Sequence, residues 1–185
     1  IIAGSTGTVI ADASIKGVAN ASTIGNNAAL DNALADLTIT ARGLTASNAA
    51  NDITIGSNGD VEASATLAGR SSASTVTGDS DALANLQADA LRLDVGNTIT
   101  IAEHGSVNAT ASIGSSVAPL LVSAVSAGVG DASSQMGLEI SGILGSSPTP
   151  GTFSSIAMGG GSLGTLDTTA EGVVDLSATA TNGTS

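Results

Sequence analysis

The chain has 185 residues, 24 of them Gly, with 42% hydrophobic, 1% aromatic and 11% charged residues, and neither Cys, Trp nor Tyr. Globular domains carry about 25% charged residues and draw much of their core energy from large side chains, so any interior here must be built from Ala, Val, Ile and Leu. Four Lys and Arg against 16 Asp and Glu give a formal net charge of −12; no cation cluster is available to a phosphate backbone, and nucleic acid is not an expected partner.

In chain order the sequence alternates short strand-like blocks with turn residues. It begins with an apolar remnant, Ile1-Ile2-Ala3, without an initiator Met or a basic segment, so no signal peptide is visible and the chain reads as a mature product or a segment of something longer. Residues 7–15 (GTVIADASI) open a block that returns at 59–67 (GDVEASATL), at 105–113 (GSVNATASI) and more loosely at 161–169 (GSLGTLDTT). The leading glycines, Gly7, Gly59, Gly105 and Gly161, mark a period of about 50 residues, and self-similarity at such a period is the signature of stacked architectures. The expected organisation is therefore one repeat array over residues 1–185, with units beginning near 7, 59, 105 and 161 and the last one truncated.

Two further alternations travel with the block. Upstream of each Gly stand 53–55 (ITI), 99–101 (ITI) and 156–158 (IAM), with 1–3 (IIA) as their remnant. Downstream stand 37–41 (LTITA), 91–95 (LRLDV), 138–142 (LEISG) and, in the short last unit, 174–178 (VDLSA). Period-two alternation puts one residue set on each face of a strand. The expected inward set is Val9, Ala11, Ala13 and Ile15, then Val61, Ala63, Ala65 and Leu67, then Val107, Ala109, Ala111 and Ile113. Gly, Asn and Asp clusters between the blocks suit tight turns. Residues 28–35 and 79–90, where Ala, Leu and Asp recur without β-branched residues, are the places for short helical insertions.

A single unit cannot bury its apolar face, whereas stacked equivalent strands make a continuous interior. The pattern predicts an all-β, right-handed parallel β-solenoid with coils of about 25 residues, two per unit, each rising about 4.8 Å. An uncapped terminal coil exposes unpaired backbone groups that template another chain. Ile1 and Ile2 at one end and Val174 and Leu176 at the other are the expected assembly ends.

The blocks I-T-I-x-x-x-G-x-V-x-A-x-A-x-[IL], with Ser74-Thr-Val-Thr-Gly-Asp-Ser-Asp-Ala82, resemble the degenerate β-strand repeats of large bacterial surface and secreted proteins, and are broadly similar to the solenoid shafts of filamentous-haemagglutinin-type adhesins. The units here are longer and less regular than the repeats of those shafts. The resemblance implies an extracellular or cell-surface structural role and no particular ligand.

Chemistry has little material. His104 is the one histidine, which leaves zinc clusters and His-based catalysis without partners. Asp79 with Asp81, and Asp31 with Asp36, are weak candidates for gathering a Ca²⁺ ion through oxygen ligands, and no other cofactor is expected. The glycines at 159–161 lack the Lys and helix of a phosphate loop, and a sugar hydrolase needs paired carboxylates and aromatic platforms, whereas Phe153 is the sole aromatic residue. The Asn20, Asn108 and Asn182 sequons are weak glycosylation signals in a chain rich in Ser and Thr. No apolar run approaches the roughly 20 residues that span a bilayer; the stretch 117–129 is broken by Pro119, Ser123, Ser126 and Gly128.

The expected function is structural and not enzymatic: a subunit of an extracellular fibre, surface layer or adhesin shaft, partnered with copies of itself or a longer array. One alternative is an ice- or ligand-binding solenoid using Thr38, Thr40, Thr54, Thr98 and Thr100. Against it, Arg92 and Asp94 stand where the repeat aligns Thr38 and Thr40. A donor-strand-polymerised pilin is the other alternative.

Overall fold

The computed structural model describes residues 2–3, 7–23, 32–46, 52–55, 60–94, 98–101, 106–146, 155–158 and 165–181. These form strands β1 (Ile2–Ala3), β2 (Thr8–Thr23), β3 (Ala33–Ala46), β4 (Asp52–Ile55), β5 (Asp60–Thr75), β6 (Ser80–Asp94), β7 (Thr98–Ile101), β8 (Ser106–Ile113), β9 (Leu120–Ser126), β10 (Ala132–Ser146), β11 (Ser155–Met158), β12 (Thr165–Gly172) and β13 (Val174–Ala180). The fold is all-β, with no helix among the described residues. In particular, none is long and apolar enough to cross a membrane.

Every strand pairing among the described residues is parallel. The first sheet runs β1-β4-β7-β11 and the third runs β10-β6-β3. The second sheet places β2 on β5, β5 on both β8 and β9, β8 on β12, and β9 on β13. Chain order visits the first, second and third sheets in turn, then returns one strand further along.

Registered partners are a whole unit apart. Val9 faces Val61, Val61 faces Val107 and Val107 faces Leu166. In the third sheet Ala33 faces Ser80 and Ser80 faces Ala132. The expectation of two coils per unit is therefore corrected: no described strand pairs with another that lies half a unit away. Through residue 146 the three kinds of alternation go to three different sheets, whereas 174–178 joins the second sheet.

Three finer expectations also change. The helix expected over 79–90 is strand β6, because pairing with both β3 and β10 lets Ala82, Ala84, Leu86 and Ala88 alternate inward, and tertiary context outweighs Ala and Leu propensity. Of the other proposed helix, residues 28–31 lie outside the described residues and Ala33 begins β3. The downstream alternations are shifted against one another: Leu91 pairs with Leu44, Leu138 pairs with Leu86, and Val174 lies in the second sheet opposite Leu120. The fourth block pairs later than expected, since Val107 meets Leu166 where the spacing aligned Leu163. Gly161-Ser-Leu163 and Gly164-Thr-Leu166 are the same kind of tripeptide, so self-comparison cannot separate them.

The second and third sheets pack face to face, as Ser71 Oγ shows by donating to the Ala35 carbonyl across the interior at 3.0 Å. The interior is richest where a strand is flanked on both sides: Val61, Ala63, Ala65, Leu67, Val107, Ala109, Ala111, Ile113, Leu120 and Val122 are all buried. In the outermost strands the same columns open. Val9, Ala11 and Ala13 are half-buried, and Ile15, Leu166 and Leu176 are 38%, 41% and 49% exposed.

The sheets come closest along the column Gly43, Ala90 and Gly142, between the registered rows Arg42–Asp89–Ser141 and Leu44–Leu91–Ile143. A Cβ on Gly43 would stand 2.5 Å from the Ala90 carbonyl oxygen and 2.6 Å from that of Ser64 in the opposite sheet. At this column the inward parity of the third sheet also changes, from Ala88 to Leu91 in β6. Gly43→Val should therefore lower stability by about 2 to 3 kcal/mol through overpacking against backbone, measured by urea denaturation.

Candidate functional site

The turn before the third sheet carries the expected Asp79. Its backbone N–H donates to Asn32 Oδ1 at 2.9 Å, and its own Oδ1 accepts from the N–H of Asp131 at 3.0 Å. Asn32, Asp79 and Asp131 thus form a corner column in which the side-chain oxygens of Asn32 and Asp79 each satisfy the backbone of the next turn. Gly78 precedes it with φ 102°, a left-handed conformation suited to Gly, and its carbonyl accepts hydroxyl hydrogen bonds from Thr75 at 2.8 Å and Ser126 at 3.0 Å.

These bonds give the carboxylate of Asp79 a structural task. Asp81 is exposed on β6, with Leu34 and Ser133 as its registered neighbours. Asp36 accepts a bond from Thr38 Oγ1 at 3.4 Å, and Asp31 lies outside the described residues. Among the described residues no three His, Cys, Asp or Glu side chains gather as a metal site would require. His104, Phe153, Ile1, Asn182 and the glycines at 159–161 also lie outside the described residues, as do the side chains of Ile2, Thr54 and Thr98.

The most concentrated polar cluster surrounds a residue that sequence reading passed over, Asp89. It sits on β6 beside the Gly43–Ala90–Gly142 column and is fully buried. Its Oδ2 lies 3.5 Å from Arg42 Nε on β3 and 3.6 Å from Arg92 Nη1 on its own strand, and accepts from Gln87 Nε2 at 3.0 Å. Oδ1 is buried without a hydrogen-bond partner. Two of the chain's four cationic side chains therefore converge on one carboxylate. Such an arrangement ties Asp89 Oδ2 to three side chains at once and gives the carboxylate a structural task, joining β3 to β6. The signal that could have found it is that Arg42 and Asp89 are separated by the same step as the registered pair Ala33 and Ser80, which is informative only once the third sheet's register is known.

On the outer face of the third sheet a shallow groove of about 380 Å³ runs over Thr38, Thr40, Asn85, Gln87, Gly137 and Glu139. Gly137 lines it without a side chain, and a Cβ there would stand 2.7 Å from Asn85 Oδ1. The groove settles the alignment of the Thr pair: Thr38 faces Asn85 and Thr40 faces Gln87, with Gly137 and Glu139 beyond. Arg92 and Asp94 are not their neighbours, and no Thr rank continues along either row. A second furrow, of about 230 Å³ on the second sheet, is lined by Asp12, Glu62, Ser64, Asn108 and Thr110, and Ser64 Oγ donates to Asp12 at 2.7 Å within it. Both are open surfaces lined without aromatic residues.

Removing the Asp89 carboxylate should be costly because Arg42, Arg92 and Gln87 lose a shared partner at once. Asp89→Ala is expected to destabilise by about 2 kcal/mol through the loss of three charge-assisted contacts, and Arg42→Ala by about 1 kcal/mol, because Arg42 is 44% exposed and Asp89 keeps Arg92 and Gln87. Chemical denaturation of both variants checks the order. At the corner, Asp79→Asn keeps the Oδ1 acceptor and should leave stability within about 0.5 kcal/mol, while Asp79→Ala should cost about 1 kcal/mol. Melting with and without EDTA should coincide for all three proteins if the role of Asp79 is the corner bond.

The chain matches no protein-family model, no curated protein and no solved structure.

Proposed function

We propose that this chain is a right-handed β-solenoid of units of about 50 residues, a period at which repeats stack into arrays, and serves as a structural subunit of an extracellular fibre, surface layer or adhesin shaft. The observation that carries the reading is the register itself. Parallel partners recur one unit apart in all three sheets, and chemically similar residues face one another, as in Val9–Val61–Val107 and Ala13–Ala65–Ala111–Ala170. Visiting three sheets in turn and advancing by one strand each time is how a solenoid winds, and parallel crossovers are right-handed in about 98% of cases.

The function follows from what the polar residues do. Asp79 and Asp89 are engaged in holding backbone and strands together, and the outer grooves are shallow and open. A rod of this kind presents length and a wet, acidic surface. The likeness of the repeat blocks to the shafts of filamentous-haemagglutinin-type adhesins points the same way, toward a secreted or surface-displayed material without enzymatic activity. Self-association is the natural partner mode, because among the described residues the outermost strands retain unpaired backbone edges and half-open apolar columns.

Electron microscopy and fibre diffraction of the purified chain test this reading. Uniform filaments with a meridional reflection near about 4.8 Å are the expected result. Discrete particles at every salt concentration and protein concentration tried would remove the assembly role.

A further inference from the structure

The second sheet carries a specific docking register. Following its partners from one outer strand to the other, Thr8 leads through Asp60 and Ser106 to Thr165, and Thr23 leads through Thr75 and Ser126 to Ala180. Both ends give the same displacement along the chain, although the strand between is interrupted. Residues 114–119 loop out between β8 and β9, and Val173 bridges the break by donating to the Ile113 carbonyl at 2.8 Å and accepting from the Leu120 N–H at 2.9 Å. The last strand pair is thereby restored to the full length of β2.

Backbone phase agrees with that displacement. Val173 directs its N–H and C=O toward β8 and β9, so in a parallel ladder the residues on either side of it direct theirs to the free edge. These are the even positions of β12 and β13. In β2 the Gly7 carbonyl accepts from Asp60 N–H, so odd positions serve β5 and even positions face outward. The displacement takes even-numbered Thr8 to odd-numbered Thr165, so it sets each edge-facing residue against one that is not, as a parallel pair requires. It also sets inward residues against inward residues.

We infer that the free edge of β12 and β13 accepts β2 of a second copy of this chain, head to tail, in the register that sets the second copy's Thr8 opposite Thr165 and its Thr23 opposite Ala180. The inference rests on the solenoid reading above and adds the edge, polarity and register. Side chains fit it. Ile15 of the second copy meets Gly172, Val174 meets its Gly17, and Leu176 meets its Ala19, so a large residue opposes a small one in these three columns, while its Val9 meets Leu166. Ile15, Val174 and Leu176, which are 38%, 38% and 49% exposed, become covered. On the outer face Lys16 falls opposite Val173 with Glu171 and Asp175 on its diagonals, while Asp12 falls between Asp167 and Glu171. One cation among four carboxylates makes the contact repulsive at low salt. Association should strengthen as the Debye length falls from about 30 Å at 0.01 M to about 8 Å at 0.15 M. The third sheet has three strands against four layers in the second, so β10 and the second copy's β3 bound a slot one strand wide.

Because the chain has no Cys, cross-linking can read the register. Equal mixtures of Ser14→Cys and Glu171→Cys chains place the two thiols opposite each other, about 4.8 Å apart at Cα and within disulfide range. Ser14→Cys with Asp175→Cys displaces them along the strand by about 13 Å, and is the off-register control. Oxidised at about 0.15 M salt, the first mixture should give covalent dimers on a non-reducing gel and the second none. Ala170→Pro removes one edge N–H while sparing the ladder to β8. It should keep the wild-type circular dichroism spectrum and lose the sedimenting fraction. Assembly with equal cross-linking in both mixtures, or undiminished by Ala170→Pro in a folded chain, overturns this register and leaves the fibre reading standing. No sedimenting wild-type species from about 0.01 to about 0.15 M salt overturns both.

Discussion

The distance between the second and third sheets constrains everything else. Backbone meets backbone at Gly43, whose absent side chain leaves room for the carbonyl oxygens of Ala90 and Ser64. Gly17 and Gly69 make equivalent room on the second sheet for Leu37, whose methyl carbons lie 2.8 and 2.9 Å from where their Cβ atoms would be. Sheets ordinarily pack about 10 Å apart over large interdigitating side chains; here the inner faces carry mainly Ala, interleaved with Val and Leu. An aromatic ring has no place in such an interior, which is the physical meaning of a composition with 1% aromatic residues.

A small-residue interior has an energetic consequence. Burying an Ala side chain contributes far less than burying Leu or Phe, since the gain scales with apolar area removed from water at roughly 25 cal/mol per Å². Stability must then come from many parallel strand pairings, each strand held by its neighbours. The gradient from fully buried Leu67 and Ile113 in the middle strands to half-exposed Leu176 at the edge shows how strongly a column depends on having neighbours on both sides. Hydrogen bonds follow the same dependence on position: the column Asn32, Asp79 and Asp131 satisfies corner backbone only because equivalent turns lie above one another.

The blocks headed by Gly7, Gly59 and Gly105 were legible because V-x-A-x-A-x-[IL] has one apolar phase and a Val at one end, and the register Val9–Val61–Val107 follows it. The downstream alternations lacked such an asymmetric mark. Any Leu-x-Ile run matches any other at steps of two, and the parity change at Gly43, Ala90 and Gly142 lets Leu37 and Leu91 look equivalent although they lie on opposite sides of it. Helix propensity misled over 79–90 for a related reason: Ala and Leu in alternation are compatible with either state in isolation, and pairing on both edges decides. Asp89 was illegible because its meaning depends on Arg42, a neighbour only through the ladder.

Columns of Ala on Ala discriminate poorly between registers, since sliding one strand by two positions exchanges one small apolar contact for another. The ion pair does not share that tolerance. If β3 slipped by two against β6, Asp89 would face Thr40 or Leu44 in place of Arg42, and a fully buried carboxylate would keep one guanidinium where it now has two. A buried carboxylate that loses one of two cationic partners is less well compensated, and the same slip would drive a side chain into the backbone oxygens now facing Gly43. The two features adjoin on the strand, one electrostatic and one steric. In a chain whose other inner positions are nearly interchangeable, they make the observed pairing of β3 with β6 the one that avoids both penalties. Polar residues are thus kept in this interior where apolar ones could not distinguish one alignment from the next.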